Sequence, residues 1–114
     1  MVNAHLDQTL LALADPTRRQ IVDLLRKRPR RAGELADELS MSAPALSRHL
    51  RVLRKSGLIE DNGLEDDARV SFYELKPDRF AMLREWLDEV EAFWTDQLAS
   101  FKAHAERTRR KPRS

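Results

Sequence analysis

Leucine and isoleucine recur at helical spacing through the first half of the chain. Leu6, Leu10 and Leu13 form one stripe, Ile21, Leu24 and Leu25 a second, Leu35 and Leu39 a third, and Leu46, Leu50 and Leu53 a fourth. Residues three and four apart share a helix face, so the spacing predicts four short helices, each with one apolar side. The breaks between them carry start and stop signals. Asn3 and Asp15 can cap, Pro16 follows at a first helical position, and Pro29 ends a second helix that runs to about Lys27. Arg30 and Arg31 read as an extended link. The third helix, Ala32 to Leu39, starts without a Ser, Thr or Asp cap. Ser42 caps the fourth, Pro44 falls in its first turn, and Gly57 stands where a helix turns left-handed to stop.

After Gly57 the period changes. Leu58 to Gly63 and Val70 to Leu75 read as two short strands, with Val70, Phe72 and Glu74 on one face and Ser71, Tyr73 and Leu75 on the other. Leu64 to Arg69 is the tip of a hairpin. Pro77 stops the second strand and opens a last helix, with Asp78 favourable in its first turn. There Phe80, Leu83, Leu87, Val90, Trp94, Leu98, Phe101 and Ala105 recur at near-heptad spacing, flanked by Trp86 and Phe93. The predicted class is mainly α with a small β-hairpin, in the order ααααββα, ending in a long C-terminal helix.

The outer faces then narrow the function. From Ser42 to Ser56 there are four Lys or Arg residues and no acid. With the leucines at the back, Pro44, Arg48, Arg51 and Lys55 lie in front, Ser47 on the flank and Arg54 nearer the core edge. Two helices joined by the tight turn Ser40-Met41-Ser42, the second with a basic outer face, form a helix-turn-helix whose second member enters a DNA groove. The hairpin after it is a wing. Arginine and lysine in front serve phosphates and, as donors, base edges. The candidate DNA contacts are Ser42, Ala43, Pro44, Ser47, Arg48, His49, Arg51 and Lys55, with Arg69 on the wing. His49, at the edge of the leucine stripe, fits a phosphate contact or a packed boundary position. Glu34, Asp37 and Glu38 on the third helix must face away from phosphate. Arg18 and Arg19 are placed to reach only the backbone of a duplex. A solvated amphipathic helix has the same charge pattern, and it is the order of elements that favours the groove. Ser47 and His49 cannot work as a catalytic pair, because residues two apart on a helix diverge by about 200°. No phosphate loop or paired carboxylate site is present, so an enzyme is not expected.

The last helix carries more apolar surface than one small domain needs to cover itself, which favours a second copy over a long helix folded back on its own core. Leu6, Leu10, Leu13, Leu87, Val90, Trp94, Leu98 and Phe101 are the candidate dimer seam. At 114 residues the chain reads as one DNA-binding and dimerisation domain, 1–105, with a basic, disordered tail, 106–114. The absence of a membrane-spanning run or signal peptide implies a cytoplasmic protein. With no cysteine, thiolate metal sites and disulfides are excluded. Net charge is only +2, but Arg18 to Arg31 carries +6, Lys102 to Arg113 carries +5, and Glu60 to Asp67 carries −5.

Asp15-Pro16-Thr17-Arg18-Arg19, Gly33-Glu34-Leu35-Ala36, the run from Ser47 to Arg54, and Gly57-Leu58-Ile59 resemble the ArsR family of winged-helix repressors. The resemblance spans about Leu10 to Phe101. It implies a homodimer paired through the first and last helices that binds a palindromic operator in double-stranded DNA, represses transcription and commonly regulates its own gene. The aromatic last helix resembles a branch without a metal site. Metal-sensing members carry a cysteine pair on the third helix, where this chain has Leu35-Ala36-Asp37-Glu38-Leu39. Others use paired histidines on the last helix, where this chain has Asp88, Glu91, His104 and Glu106. No cofactor, metal or membrane is expected. Two other readings stay open: a winged helix used for protein contact, and an effector-responsive sensor whose ligand site the sequence does not reveal.

The chain departs from the family at the wing tip, where Glu65, Asp66 and Asp67 stand in place of basic residues. Within a Debye length of about 10 Å at 0.1 M salt, such carboxylates are repelled by phosphate. Two readings are open: the tip bends away, held by Arg69 across the hairpin, or it stays close as a brake on non-specific binding, which the basic segments elsewhere favour. Replacing all three with Asn or Gln should raise affinity for random DNA more than for the operator, with the gain shrinking as salt rises. Equal affinities before and after, in a two-salt binding titration, would exclude the brake.

Overall fold

The computed structural model describes residues 3–62 and 72–109. Its elements are α1 (Ala4–Leu13), α2 (Pro16–Lys27), β1 (Arg30–Arg31), α3 (Ala32–Leu39), α4 (Ala43–Lys55), β2 (Ile59–Asp61), β3 (Phe72–Leu75) and α5 (Pro77–Arg109). The helices begin where the sequence signals fall. Asn3 accepts the Leu6 N–H at 3.1 Å, Asp15 the Arg18 N–H at 3.1 Å and Ser42 the Ala45 N–H at 3.3 Å. Helix α3, which lacks an N-cap oxygen, is closed from inside: the Glu34 carboxylate reaches back to the Arg31 N–H at 3.3 Å. Ser40 ends α3 in the left-handed region, at φ 53°, and makes the turn into α4.

The sheet has one strand more than the sequence pattern predicts. Arg30 and Arg31, expected as a link, form β1 and pair antiparallel with β3, giving the order β1-β3-β2. Arg30 stands opposite Tyr73 and Arg31 opposite Phe72, with the Arg31 guanidinium 5.0 Å from the Phe72 ring centroid. On the other side Ile59 pairs with Leu75. Two arginines carry no strand propensity. They are extended because the returning strand β3 offers them an edge, and such non-local pairing leaves no local trace. β2 leaves out Leu58 and Asn62 of the run that alternates in the sequence. Residues 63–71, including the tip acids and the candidate contact Arg69, lie outside the described residues, as do 110–114.

The chain divides into two units, Met1–Leu83 and Arg84–Ser114. The core of the first is Ala12, Ile21, Leu25, Leu35, Leu46, Leu50, Leu53, Leu58 and Ile59, with Leu13, Leu24, Leu39, Tyr73, Leu75 and Phe80 packed on its edge. Helix α1 is rotated relative to its leucine stripe. Leu6, Thr9 and Ala12 are buried and Leu13 packs on the core, so the outward apolar residues are Leu10 and Leu11, the latter 71% exposed. Of the candidate seam residues on α1, Leu6 is therefore buried, Leu13 is half-buried against the core and Leu10 stays at the surface. A stripe drawn through leucines alone passes over Thr9 and Ala12, whose small side chains mark the face turned inward. Thr9 is satisfied there by donating to the His5 carbonyl at 2.9 Å.

In the second unit the helix shows its aromatic and aliphatic side chains to solvent. Trp86, Leu87, Phe93, Trp94, Leu98 and Phe101 are all exposed, and Val90 is intermediate. The Phe93 and Trp94 rings meet edge to face at 5.9 Å. Helix α5 has 33 residues, so it is roughly 50 Å long. It continues through residues 106–109, which composition assigns to a disordered tail. Glu and Arg are good helix formers, and the next breaker is Pro112.

Gly57 closes α4 at φ 75°, its N–H on the Arg54 carbonyl at 3.0 Å and that of Leu58 on the Leu53 carbonyl at 3.0 Å. A Cβ there would stand 3.0 Å from Nε and 3.1 Å from Cγ of Arg79. Gly57→Ala should lower stability by about 1–2 kcal/mol, from left-handed strain plus displacement of Arg79. Urea unfolding checks this, and an unchanged midpoint would contradict it.

Candidate nucleic-acid interface

Helix α4 buries Leu46, Leu50 and Leu53 and turns its other side outward. Ser42, Ala43, Pro44, Ser47, Arg48, Arg51, Arg54 and Lys55 are all exposed. No ion pair among the described residues involves Arg48, Arg51, Arg54 or Lys55. Toward the C-terminal end, Arg51, Arg54 and Lys55 line an open cleft of about 440 Å³. Arg54, assigned from spacing to the core edge, thus belongs to the basic surface. The signal was present: Arg54 lies three residues after Arg51 and beside Lys55, on the shared side of the helix. At the other end, Ala43 and Ser47 border an apolar hollow of about 240 Å³ with Ala32, Gly33 and Ala36 of α3.

Two of the three acids of α3, Glu34 and Glu38, are paired with arginines outside α4. Glu34 accepts from Arg28 at 3.0 Å, and Glu38 pairs with Arg30. The Arg28 bond, and then the Arg31 N–H, hold the Glu34 carboxyl below the ordinary glutamate range. Arg30 is buried, and its Nε has no partner.

Arg18 and Arg19 do not point to a backbone outside the protein. Arg18 donates to the carbonyls of Leu11 and Ala12 at 3.2 and 2.7 Å, and Arg19 to those of Leu13 and Ala14 at 2.8 and 3.0 Å. Together they serve the carbonyls at the end of α1 and of its C-cap Ala14, where helical N–H donors run out; that of Leu11 also accepts the Ala14 N–H at 3.3 Å. The +6 segment is therefore largely committed inside the fold, whereas the cations of α4 have no ion pair among the described residues. His49 is half-buried, its Nδ1 3.5 Å from an Nη of Arg18. The structure gives it a packed boundary position between α4 and α2, away from the exposed front. Asp15 sits beside this pair. Its carboxyl is held below the ordinary aspartate range by the Arg18 N–H first, and also by the charge of Arg18.

Proteins of known sequence and structure are similar to this chain. The family model for bacterial regulatory proteins of the arsR family matches residues 15–61, from the cap of α2 through β2. HTH-type transcriptional regulator Rv2034 of Mycobacterium tuberculosis is 43% identical over 95 residues, covering 83% of each chain. This chain belongs to the ArsR family. Transcriptional repressor SdpR of Bacillus subtilis is 41% identical over 51 residues, 45% of this chain and 57% of that protein. The solved ArsR-like transcriptional regulator from Rhodococcus sp. RHA1 superposes with a TM-score of 0.73 at 29% identity, over 90% of this chain and 93% of that one. The ArsR fold accounts for the winged-helix order of elements, including the small three-stranded sheet. Among the described residues no group of three His, Asp or Glu side chains could hold a metal ion, and no helix is long and apolar enough to cross a membrane.

Proposed function

We propose that this ArsR regulator is a homodimeric repressor that binds a palindromic operator through α4 of each copy, and that it is not an enzyme. The observation that carries the reading is the front of α4: four exposed cations with no ion pair among the described residues, held outward by three buried leucines. Arg48 lies toward the N-terminal half of the helix, where base edges are met, and is the residue proposed to read sequence. Ser42, Ala43, Pro44 and Ser47 line its approach. Arg51, Arg54 and Lys55 fit phosphates along the cleft. His49 supports the helix from behind, and Arg69 is proposed as a wing contact. The family and the repressor name of the Bacillus subtilis relative support repression as the outcome. No cofactor or metal enters this reading, and the cytoplasm is the compartment in which such a regulator works.

The second copy is proposed from apolar surface. Trp94, Leu98 and Phe101 are more than half exposed in the single chain, and Leu10 and Leu11 on α1 add to them. An isologous interface would bury both sets.

Footprinting on DNA upstream of the protein's own gene tests operator binding directly. Arg48→Ala should then cost about 1–3 kcal/mol on the protected site and relax specificity at one or two positions. If the ratio of cognate to random binding is unchanged, Arg48 does not read bases. Trp94→Asp should convert the dimer to monomer or aggregate, since an unpaired charge buried in an interface costs several kcal/mol. Sedimentation at micromolar concentration checks this, and a monomeric wild type with full operator affinity would exclude the dimer.

A further inference from the structure

The Arg18 side chain joins three helices. From α2, its Nε donates to the Ala12 carbonyl at 2.7 Å and one Nη to the Leu11 carbonyl at 3.2 Å, both at the end of α1. Its other Nη lies 3.5 Å from Nδ1 of His49 on α4 and 3.8 Å from the Asp15 carboxylate. The Arg18 side chain is 17% exposed, so water competes little for these contacts. Guanidinium has only donors and keeps its charge at any working pH. Nδ1 of His49 can face it favourably only as an acceptor, which requires a neutral ring with its proton on Nε2. At 3.5 Å the contact is at the outer limit of a hydrogen bond. A proton on Nδ1 would turn it into repulsion between two cations.

We propose that Arg18 is a positioning residue for DNA binding, tying α4 through His49 to the carbonyl end of α1, and that the tie holds only while His49 is neutral. The proposal rests on the reading of α4 as the groove helix. Because α1 also carries exposed leucines of the proposed seam, Arg18 is a polar link from seam to groove helix beside the core that Ala12 shares with Leu46, Leu50 and Leu53, and the offset between them sets half-site spacing. The charged groups that face His49 among the described residues are Arg18 and Asp15. Its α4 neighbours one turn away, Ala45, Leu46, Val52 and Leu53, carry no charge. On protonation the imidazolium is set against Arg18, and Asp15 is shared between two cations.

The two roles open to His49 have opposite signs in acid. On a phosphate, imidazolium adds a cation and binding tightens as pH falls. As the acceptor for Arg18, protonation releases α4 and binding weakens.

Fluorescence anisotropy on the footprinted duplex, at constant salt and at pH 8 and about 5.5, separates them. Wild type is compared with His49→Asn, which offers an acceptor near the Nδ1 position and does not titrate, and with Arg18→Lys, which keeps the charge but cannot span the same acceptors. Thermal melting at both pH values establishes that each protein is folded. On acidification, wild-type affinity should fall about tenfold further than that of His49→Asn. Arg18→Lys should bind about tenfold more weakly at pH 8, with a flatter pH profile and unaltered sedimentation. His49→Asn carries the test alone if the arginine variant fails to fold. Identical pH profiles for wild type and His49→Asn would overturn the proposal. So would wild-type binding that tightens in acid while that of His49→Asn does not, which assigns His49 to phosphate. Failure of wild type to protect any DNA would overturn the groove reading itself, and is told apart because it needs no variant.

Discussion

Burial of Leu46, Leu50 and Leu53 fixes the rotation of α4 about its own axis, and the rest of the first unit is arranged to make that burial possible. Each of these side chains contributes about 1.5–3 kcal/mol relative to exposure. A helix turned by one residue, or about 100°, would exchange leucines for arginines in the core, at a cost no small domain could offset. The front of α4 is therefore basic by exclusion. Helix α3 covers one side of the leucine back with Leu35. Gly57 reverses the chain so that Leu58 and Ile59 enter the same core directly after the helix ends. The sheet follows from that reversal, because β2 begins where the buried run ends.

Charge in this protein divides by commitment rather than by sign. Arg18 and Arg19 serve the carbonyl end of α1, Arg28 and Arg30 hold Glu34 and Glu38 of α3, and Arg31 lies over Phe72. These cations shape the scaffold. The Arg30–Glu38 pair is the extreme case, since Arg30 is nearly buried and removing Glu38 alone would leave an uncompensated cation inside. The cations of α4 have no such employment among the described residues, and their electrostatic field remains directed at solvent. A polyanion meets that field first.

The apolar surface divides in the same way. In Met1–Leu83 the aliphatic residues close on one another around α4. In Arg84–Ser114 the helix has nothing of its own unit to close on, and its aromatic residues stay exposed. The two Trp residues and Phe101 lie on this one helix, so the surface is both large and local. Two half-sites, as proposed above, call for two groove helices, and exposed apolar surface of this kind is what a second copy would cover.

The sequence by itself determined the helices, their caps and the basic front of α4. These depend on contacts within four residues, and a periodic pattern of leucines, an Asx cap or a helix-ending glycine states them locally. It also carried the family, through the run from Ser42 to Ile59. Only the tertiary structure decided what depends on partners distant in the chain. β1 exists because β3 returns beside it, and neither Arg30 nor Arg31 announces a strand. The inward face of α1 runs through Thr9 and Ala12, chosen by what packs on it rather than by hydrophobicity. Arg18, Arg19 and Arg28 look the same in sequence as Arg48 and Arg51, because a guanidinium carries one charge wherever it stands. Which of them is free for DNA is set by the carbonyls and carboxylates that folding brings within about 3 Å of the others.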